Sequence, residues 1–207
     1  IDKGIVPKNK THIVNGSGVD IIKYSFTKIP KNHVNFLLIS RLLGEKGLRE
    51  YAAAAKIVKN KFPNVSFDLV GAEDASLDAV SLEEVESWSR YVDYKGSTND
   101  VRPYIKNCNV YVLPSYHEGL PRSTLEAMSM GRPILTTNAV GCKETVQEGI
   151  NGFLVPAESV KELADKMIWF IENRDMIHNM GQASRYLVEN KFDVRKVNKE
   201  MLRILGI

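Results

Sequence analysis

Short apolar runs alternate with helical patterns along most of this chain, and no other sequence feature constrains its fold as strongly. The runs that read as buried strands lie at residues 34–39, 65–71, 92–95, 109–113, 133–137 and 153–155. Between them, apolar residues recur at helical spacing, as in the helix predicted over residues 48–61. Strands that alternate with helices pair in parallel and connect by right-handed crossovers. The sequence therefore predicts an α/β fold, a Rossmann-like parallel sheet of about six strands with helices on both faces.

Three further helices are predicted after the last strand, over residues 159–172, 176–190 and 194–205. No strand follows them in the sequence, so they either pack on the sheet or reach another part of the protein. Within the alternating region, Ser81 and Glu84 have the spacing of a capping box, which predicts a helix that reaches about Tyr91.

The composition is that of an ordinary globular domain. The 207 residues are 43% hydrophobic and 26% charged, which suits one sizeable domain. The net charge of +3 is modest and the aromatic residues do not interleave with a basic stripe, so we expect no nucleic-acid partner. Cys108 and Cys142 lack the spacing of a metal site, and we expect buried thiols in a reducing compartment.

The chain begins at Ile1 without a methionine or a signal-peptide pattern. Residues 1–33 are rich in Lys, Gly, Ser and Pro, and they read as an interdomain linker and a lead-in segment with a turn cluster at residues 15–20. We therefore expect a piece of a longer protein in which residues 34–207 form one domain.

A strand, a loop and a helix within residues 109–131 form the most informative local pattern for function. Glu118 lies in the loop, and Glu126 lies one to two turns into the helix. Ligands of open α/β sheets bind outside the carboxyl ends of the strands, where helix N-termini favour anions and carboxylates accept hydrogen bonds from hydroxyl groups. The pattern predicts a site for a phosphate-bearing polyol, and His117 is expected to line the same pocket.

Two other interpretations of these glutamates stay open at this point. They could form an acid/base pair as in glycoside hydrolases, although Glu126 lies inside a helix and Arg122 is close enough in sequence to pair with either acid. Alternatively, they are surface charges near a helix N-terminus, where a carboxylate is mildly stabilising.

Two cations follow the first predicted core strand. Arg41 comes directly after it, and Lys46 lies between Gly44 and Gly47. This placement would let both side chains reach one phosphate group. The alternative is that both are solvated charges on a loop, since the segment has no Walker or GxGxxG sequence.

These residues together resemble the signature of family 4 retaining glycosyltransferases. The resemblance is carried, in chain order, by residues 15–20, 40–47, 114–132, 141–146 and 151–155. Glu118 and Glu126 form its Glu-x7-Glu element, while Arg41 and Lys46 resemble its phosphate-binding pair. The similarity is greatest to bacterial enzymes of capsule, O-antigen or N-glycan assembly, and the sequences at residues 114–116 and 119–123 are typical of members that use UDP-sugars.

The resemblance implies a GT-B fold, in which two Rossmann-like halves face each other across a cleft. This chain resembles only the C-terminal half, which holds the sugar nucleotide and carries extra C-terminal helices. The N-terminal acceptor domain is expected to be absent from this chain.

The resemblance also implies three catalytic residues. Arg41 and Lys46 would bind the diphosphate and stabilise charge on the departing phosphate, and Glu118 would contact the donor sugar or its phosphate. No metal or other cofactor is expected, because the two cations and the helix dipoles take over charge neutralisation. Retention in this family is usually explained by front-face transfer, in which the leaving phosphate takes the proton of the acceptor.

Five residues are implied to bind the nucleotide sugar. Glu126 would accept hydrogen bonds from the ribose hydroxyls, and Thr98 lies in a segment that would read the base. The backbone N–H groups of Gly119 and Leu120 would contact the donor, with His117 beside them.

The function implied is that of the donor-binding domain of a retaining glycosyltransferase. The whole enzyme would move a hexose or N-acetylhexosamine from a UDP-sugar to a lipid-linked or polysaccharide acceptor, in the cytoplasm at the inner face of the membrane. Peripheral membrane contact is expected through the missing half, and the present chain is expected to be inactive alone. Two alternatives remain open, a sugar-nucleotide epimerase half-domain and a non-catalytic nucleotide-binding module.

Overall fold

The computed structural model of the chain describes residues 11–12 and 14–207. The part of the predicted linker at residues 1–10 and 13 lies outside the described residues. No helix within the described part of the chain is long and apolar enough to cross a membrane.

Six strands form one parallel sheet in the order β3-β2-β1-β4-β5-β6. They are β1 (Asn35–Ile39), β2 (Ser66–Val70), β3 (Asp93–Tyr94), β4 (Val110–Leu113), β5 (Ile134–Thr137) and β6 (Gly152–Val155). The order in which strands are added to the sheet reverses direction between the neighbouring strands β1 and β4. The loops that follow these two strands therefore leave in opposite directions. The predicted six-stranded α/β fold is confirmed.

Seven α-helices are present among the described residues. They are α1 (Leu48–Lys61), α2 (Leu82–Ser87), α3 (Arg102–Asn107), α4 (Arg122–Ser129), α5 (Val160–Glu172), α6 (Arg174–Leu187) and α7 (Val194–Leu205). Two 3-10 turns at Gly44–Lys46 and Lys143–Thr145 and a π-turn at Val188–Phe192 complete the regular structure. The three predicted C-terminal helices are present, although α6 begins earlier than the sequence predicts and passes into the π-turn.

Helix α2 is shorter than the sequence predicts. The Ser81 hydroxyl accepts a hydrogen bond from the backbone N–H of Glu84 at 3.1 Å, which confirms the predicted cap. The Glu84 carboxylate does not complete the capping box, because it accepts two hydrogen bonds from Arg49 at 2.7 and 2.9 Å. The prediction that this helix reaches Tyr91 is wrong, and the helix ends at Ser87.

The core lies on both faces of the sheet. Alternate residues of β1 point to opposite sides, so Phe36 and Leu38 pack in the layer that contains α1 and α5. Leu37 and Ile39 pack in the opposite layer, which contains α3 and α4. Because both faces of β1 are buried, packing on both sides holds the carboxyl end of this strand in place, where the loop that carries Arg41 begins.

A fully buried arginine fastens the lead-in segment to the domain. The Arg132 guanidinium donates to the carbonyl oxygens of Ile105 at 2.8 Å, Lys106 at 3.1 Å and Met130 at 2.9 Å, all near helix C-termini. It also donates to the carbonyl of Thr27 at 2.9 Å and to its hydroxyl at 2.7 Å. The negative ends of two helix dipoles therefore stabilise this buried charge, and Thr27 is held in place by it.

Replacement of this residue by methionine (Arg132→Met) should lower the free energy of unfolding by about 3 kcal/mol or more, since several buried oxygens lose their donor. Urea denaturation measures the change. The matched control is Arg174→Met, at an exposed arginine without a polar partner among the described residues, and it should change stability by less than about 0.5 kcal/mol. Equal effects of the two substitutions would contradict this role of Arg132.

Candidate functional site

A cavity of about 620 Å³ opens at the carboxyl ends of β1, β2 and β4. This is the point at which the strand order reverses, where open α/β sheets bind their ligands. Its lining includes Arg41, Lys46, Thr98, Glu118 and Glu126. The sheet thus brings together, at one cavity, residues that are far apart in the sequence.

Arg41 lies on the loop that leaves β1, and its side chain is 62% exposed. Its guanidinium donates to the Asp74 carboxylate at 2.6 Å, on the loop that follows β2. Arg41 is thus oriented by an acid of the neighbouring loop, and much of its hydrogen-bonding surface stays open to a ligand.

Lys46 is more enclosed, with 13% of its side chain exposed. Its ammonium group lies 3.0 Å from a carboxylate oxygen of Glu118 and 3.0 Å from one of Glu45. Burial alone would lower the pKa of Lys46, but the hydrogen bonds to Glu118 and Glu45 outweigh it and leave the pKa raised. Lys46 is therefore a fixed positive charge held against the loop that carries Glu118.

The position of Lys46 depends on the glycine that follows it. Gly47 has φ +72, and a Cβ there would lie 2.2 Å from the carbonyl oxygen of Pro114. The backbone of the Lys46 turn can therefore approach the end of β4 only because residue 47 has no side chain. The Tyr116 N–H donates to the Glu45 carbonyl at 2.8 Å and closes this contact.

The loop after β4 carries Glu118, and only 19% of that side chain is exposed. A second close approach supports it, since a Cβ on Gly141 would lie 2.2 Å from the carbonyl oxygens of both Glu118 and Gly119. Among the other predicted site residues of this loop, His117 is exposed and Leu120 packs toward the lead-in segment. Gly119, His117 and Leu120 lie outside the lining of the cavity, and the loop contributes Glu118 and Pro121 to it.

Glu126 lies within α4, whose first residues also line the cavity. Burial raises the pKa of the Glu126 carboxyl, and this effect is partly offset by a hydrogen bond from the Tyr24 hydroxyl and by the charges of Arg122 and Lys23. Burial and the Glu126 carboxylate together raise the pKa of Tyr24 to about 12. Glu126 is thus an acceptor that the fold keeps partly desolvated.

Thr98 and Ser97 lie on the far side of the cavity, after β3. The Thr98 hydroxyl donates to the carbonyl of Asp100 at 3.1 Å and accepts from its N–H at 3.0 Å, so a closed turn shapes this wall. The cavity therefore combines the cations Arg41 and Lys46, the carboxylates of Glu118 and Glu126, and the backbone groups of the Thr98 turn.

Such an arrangement can bind a molecule that combines phosphate and hydroxyl groups. Arg41 and Lys46 would pair with phosphate oxygens, and Glu126 would accept from hydroxyls. Two participants, Asp74 and Tyr24, were not predicted from the sequence, and Arg122, predicted only as a possible partner of the two acids, also lines the cavity. Asp74 and Tyr24 are remote in sequence from the groups they hold, so local spacing gives no signal for them.

The raised pKa of Glu126 predicts a gain in stability when its charge is removed. Because burial raises the pKa of Glu126 in the folded state, folding favours the protonated carboxyl. The ionised carboxylate therefore lowers the free energy of unfolding once the pH rises through the folded-state pKa. Glu126→Gln should therefore be more stable than the parent at pH 7, and the difference should shrink as the pH falls below about 4. Thermal unfolding across this pH range measures the effect, and a variant less stable than the parent at neutral pH would contradict it.

The family model for glycosyl transferases group 1 matches residues 23–186. A relative from Campylobacter jejuni, N,N'-diacetylbacillosaminyl-diphospho-undecaprenol alpha-1,3-N-acetylgalactosaminyltransferase, is 33% identical over 146 residues, which cover 70% of this chain and 38% of the relative. The capsular polysaccharide biosynthesis glycosyltransferase CapM of Staphylococcus aureus is 29% identical over 171 residues, 81% of this chain and 45% of CapM.

Solved structures show the same fold. The structure of Anabaena HepE in complex with UDP-glucose has a TM-score of 0.84 at 22% identity and covers 99% of this chain and 60% of that chain. The C-terminal domain of the group 1 family protein LpcC from Francisella tularensis has a TM-score of 0.72 at 21% identity, with 84% of this chain and 98% of that chain covered. At these identities the likeness establishes the fold alone.

Proposed function

The chain belongs to the group 1 glycosyl transferases, and we propose that it is the donor-binding domain of a family 4 retaining enzyme. The observation that carries this proposal is the cavity at the reversal of strand order, where Arg41, Lys46, Glu118 and Glu126 all line one space. That cavity has the size of a small-molecule site and the charge pattern of a nucleoside diphosphate site.

The names of the relatives support a proposal for the activity of the whole enzyme. The chain spans about half or less of the curated relatives described above, 38% of one and 45% of the other. Those relatives include a transferase named for an undecaprenol-linked acceptor and an enzyme of capsular polysaccharide biosynthesis. We propose the transfer of a hexose or N-acetylhexosamine from a UDP-sugar to a lipid-linked or polysaccharide acceptor, with the acceptor domain in another part of the protein.

In this proposal the two cations hold the diphosphate of the donor. Lys46 is paired with Glu118 and Glu45 in the absence of a ligand, so the incoming phosphate competes with, or adds to, an existing carboxylate contact. Arg41 is oriented by Asp74 and keeps most of its side chain exposed. Positive charge fixed beforehand stabilises the leaving diphosphate without reorganisation, and this effect is worth several kcal/mol in a closed site.

The transfer step is proposed to occur on one face of the sugar. The bond between the anomeric carbon and the β-phosphate oxygen breaks, the acceptor oxygen bonds to the same carbon, and the acceptor proton moves to the departing phosphate. Glu118 would contact the donor, and Glu126 would hold the ribose. The charge of the diphosphate is balanced by protein cations, and we propose that no metal is required.

We further propose that the whole enzyme works in the cytoplasm at the inner face of the membrane, where a lipid-linked acceptor would be available. Support for this place comes from the undecaprenol-linked acceptor in the name of the Campylobacter relative. Contact with the lipid surface is assigned to the part of the protein outside this chain.

Calorimetry with UDP and with pyrophosphate tests the donor site. Glu126→Ala should lower the affinity for UDP by about tenfold or more, because the hydrogen bonds between the carboxylate and the ribose are lost. The affinity for pyrophosphate should stay almost unchanged. Lys46→Ala should weaken both ligands to a similar degree, since its contact is with phosphate.

The control for these variants is Lys161→Ala, a surface lysine with 82% of its side chain exposed, which should bind both ligands like the parent. If the folded parent chain fails to bind UDP at millimolar concentration, the donor-site proposal is wrong. If Glu126→Ala binds UDP as the parent does, Glu126 has no part in the site.

Retention predicts the configuration of the product. With the full-length enzyme and its acceptor, the anomeric proton coupling of the product should match that of the UDP-sugar donor, as measured by NMR. A product with the opposite configuration would exclude front-face transfer and the assignment to the retaining family.

A further inference from the structure

A second side-chain bridge joins the segment that carries Lys46 to the loop that carries Glu118. The Tyr116 hydroxyl donates a hydrogen bond to the Oε1 atom of Glu50 at 2.9 Å. Glu50 lies in the first turn of α1, four residues after Lys46. Tyr116 lies on the loop after β4, two residues before Glu118. Because neither partner lines the cavity of about 620 Å³, the bridge fixes the two charged segments from outside the space that a ligand would fill.

The main chain of Tyr116 is tied to the same turn. Its N–H donates to the Glu45 carbonyl at 2.8 Å. The Tyr51 N–H donates to the Gly47 carbonyl at 2.9 Å, so α1 continues directly from the Lys46 turn. The turn and the start of α1 therefore form one unit, and Tyr116 is attached to this unit both by its backbone and by its hydroxyl.

The Glu50 carboxylate depends on this hydroxyl. Its Oε2 atom is buried and has no hydrogen-bond partner among the described residues. The neighbouring Arg49 instead donates two hydrogen bonds to the Glu84 carboxylate, at 2.7 and 2.9 Å. A buried oxygen without a partner lowers the free energy of unfolding. Groups kept at such a cost are typical of functional sites, and the hydrogen bond of Glu50 reaches the loop that carries Glu118.

We propose that Tyr116 and Glu50 are positioning residues of the donor site, and that their hydrogen bond holds the loop after β4 so that Glu118 keeps the Lys46 ammonium in place for the diphosphate. This inference rests on the proposed role of Lys46 as a phosphate ligand. The ammonium group has three N–H donors, and the carboxylates of Glu118 and Glu45 already orient it at 3.0 Å. A lysine oriented before the ligand arrives loses less side-chain freedom on binding, so a looser Glu118 loop weakens diphosphate binding.

A double-mutant cycle with Lys46→Ala tests the inference by calorimetry with UDP. Tyr116→Phe removes the hydroxyl alone, and it should lower the affinity of the 207-residue chain for UDP by about 3- to 10-fold, the value of one hydrogen bond. In the Lys46→Ala background, the same substitution should lower the affinity by less than about twofold, because the cation that it positions is gone. A loss of folded protein lowers the affinity by the same factor in both backgrounds, so a merely structural role of Tyr116 gives a different result.

Substitutions of Glu50 check the acceptor of this hydrogen bond. Glu50→Ala removes the acceptor and should lower the affinity for UDP to the level of Tyr116→Phe. Glu50→Gln keeps an amide oxygen that accepts from the Tyr116 hydroxyl, and it should recover most of the affinity that Glu50→Ala loses. The control is Tyr186→Phe, at a tyrosine that is 70% exposed, and this variant should bind UDP as the parent does.

The outcomes separate this inference from the proposed function. If Lys46→Ala weakens UDP binding while Tyr116→Phe leaves the affinity unchanged, raises it, or lowers it equally in both backgrounds, the inference is overturned and the role of Lys46 stands. If the folded Lys46→Ala variant binds UDP as the parent does, the diphosphate role of Lys46 is wrong and the inference falls with it.

Discussion

The close approach of the backbone segments that follow β1, β4 and β5 is the constraint on which the rest of the site depends. At Gly47 and at Gly141, a Cβ would lie only 2.2 Å from backbone oxygen atoms of the neighbouring segment. The contact at Gly47 brings the Lys46 turn to the end of β4, and the contact at Gly141 supports the Glu118 loop from the segment after β5. The Lys46 ammonium and the Glu118 carboxylate meet there at 3.0 Å. The charges of Lys46 and Glu118 are therefore placed by main-chain packing, whereas the exposed Arg41 side chain is oriented by Asp74.

The site keeps its charged groups in pairs before any ligand binds. Lys46 is held by Glu118 and Glu45, and Arg41 by Asp74. Glu126 is the exception, because burial raises the pKa of its carboxyl and nearby cations offset this effect only in part. A binding group maintained at a cost in stability is expected where the environment is shaped for a ligand.

The sequence predicts the fold better than it predicts the contacts of the site. Helix α1 has the predicted bounds, because its apolar stripe is continuous and Pro63 follows its end. Helix α2 does not, because Arg49 from another helix takes the Glu84 carboxylate that the capping box would have used. The Arg41–Asp74 hydrogen bond and the shared cavity of Tyr24 and Glu126 involve segments that only the tertiary fold brings together, and no local pattern contains them. The strand-end position of Arg41 and the helix position of Glu126 could be predicted, since both follow from the order of elements.

A crystal structure of this chain with UDP bound would decide whether this cavity is the donor site. Diphosphate oxygens should lie within hydrogen-bond distance of the Arg41 guanidinium and the Lys46 ammonium, and the ribose hydroxyls should donate to the Glu126 carboxylate. A nucleotide bound elsewhere on the molecule, or one in this cavity whose diphosphate contacts neither cation, would contradict this assignment.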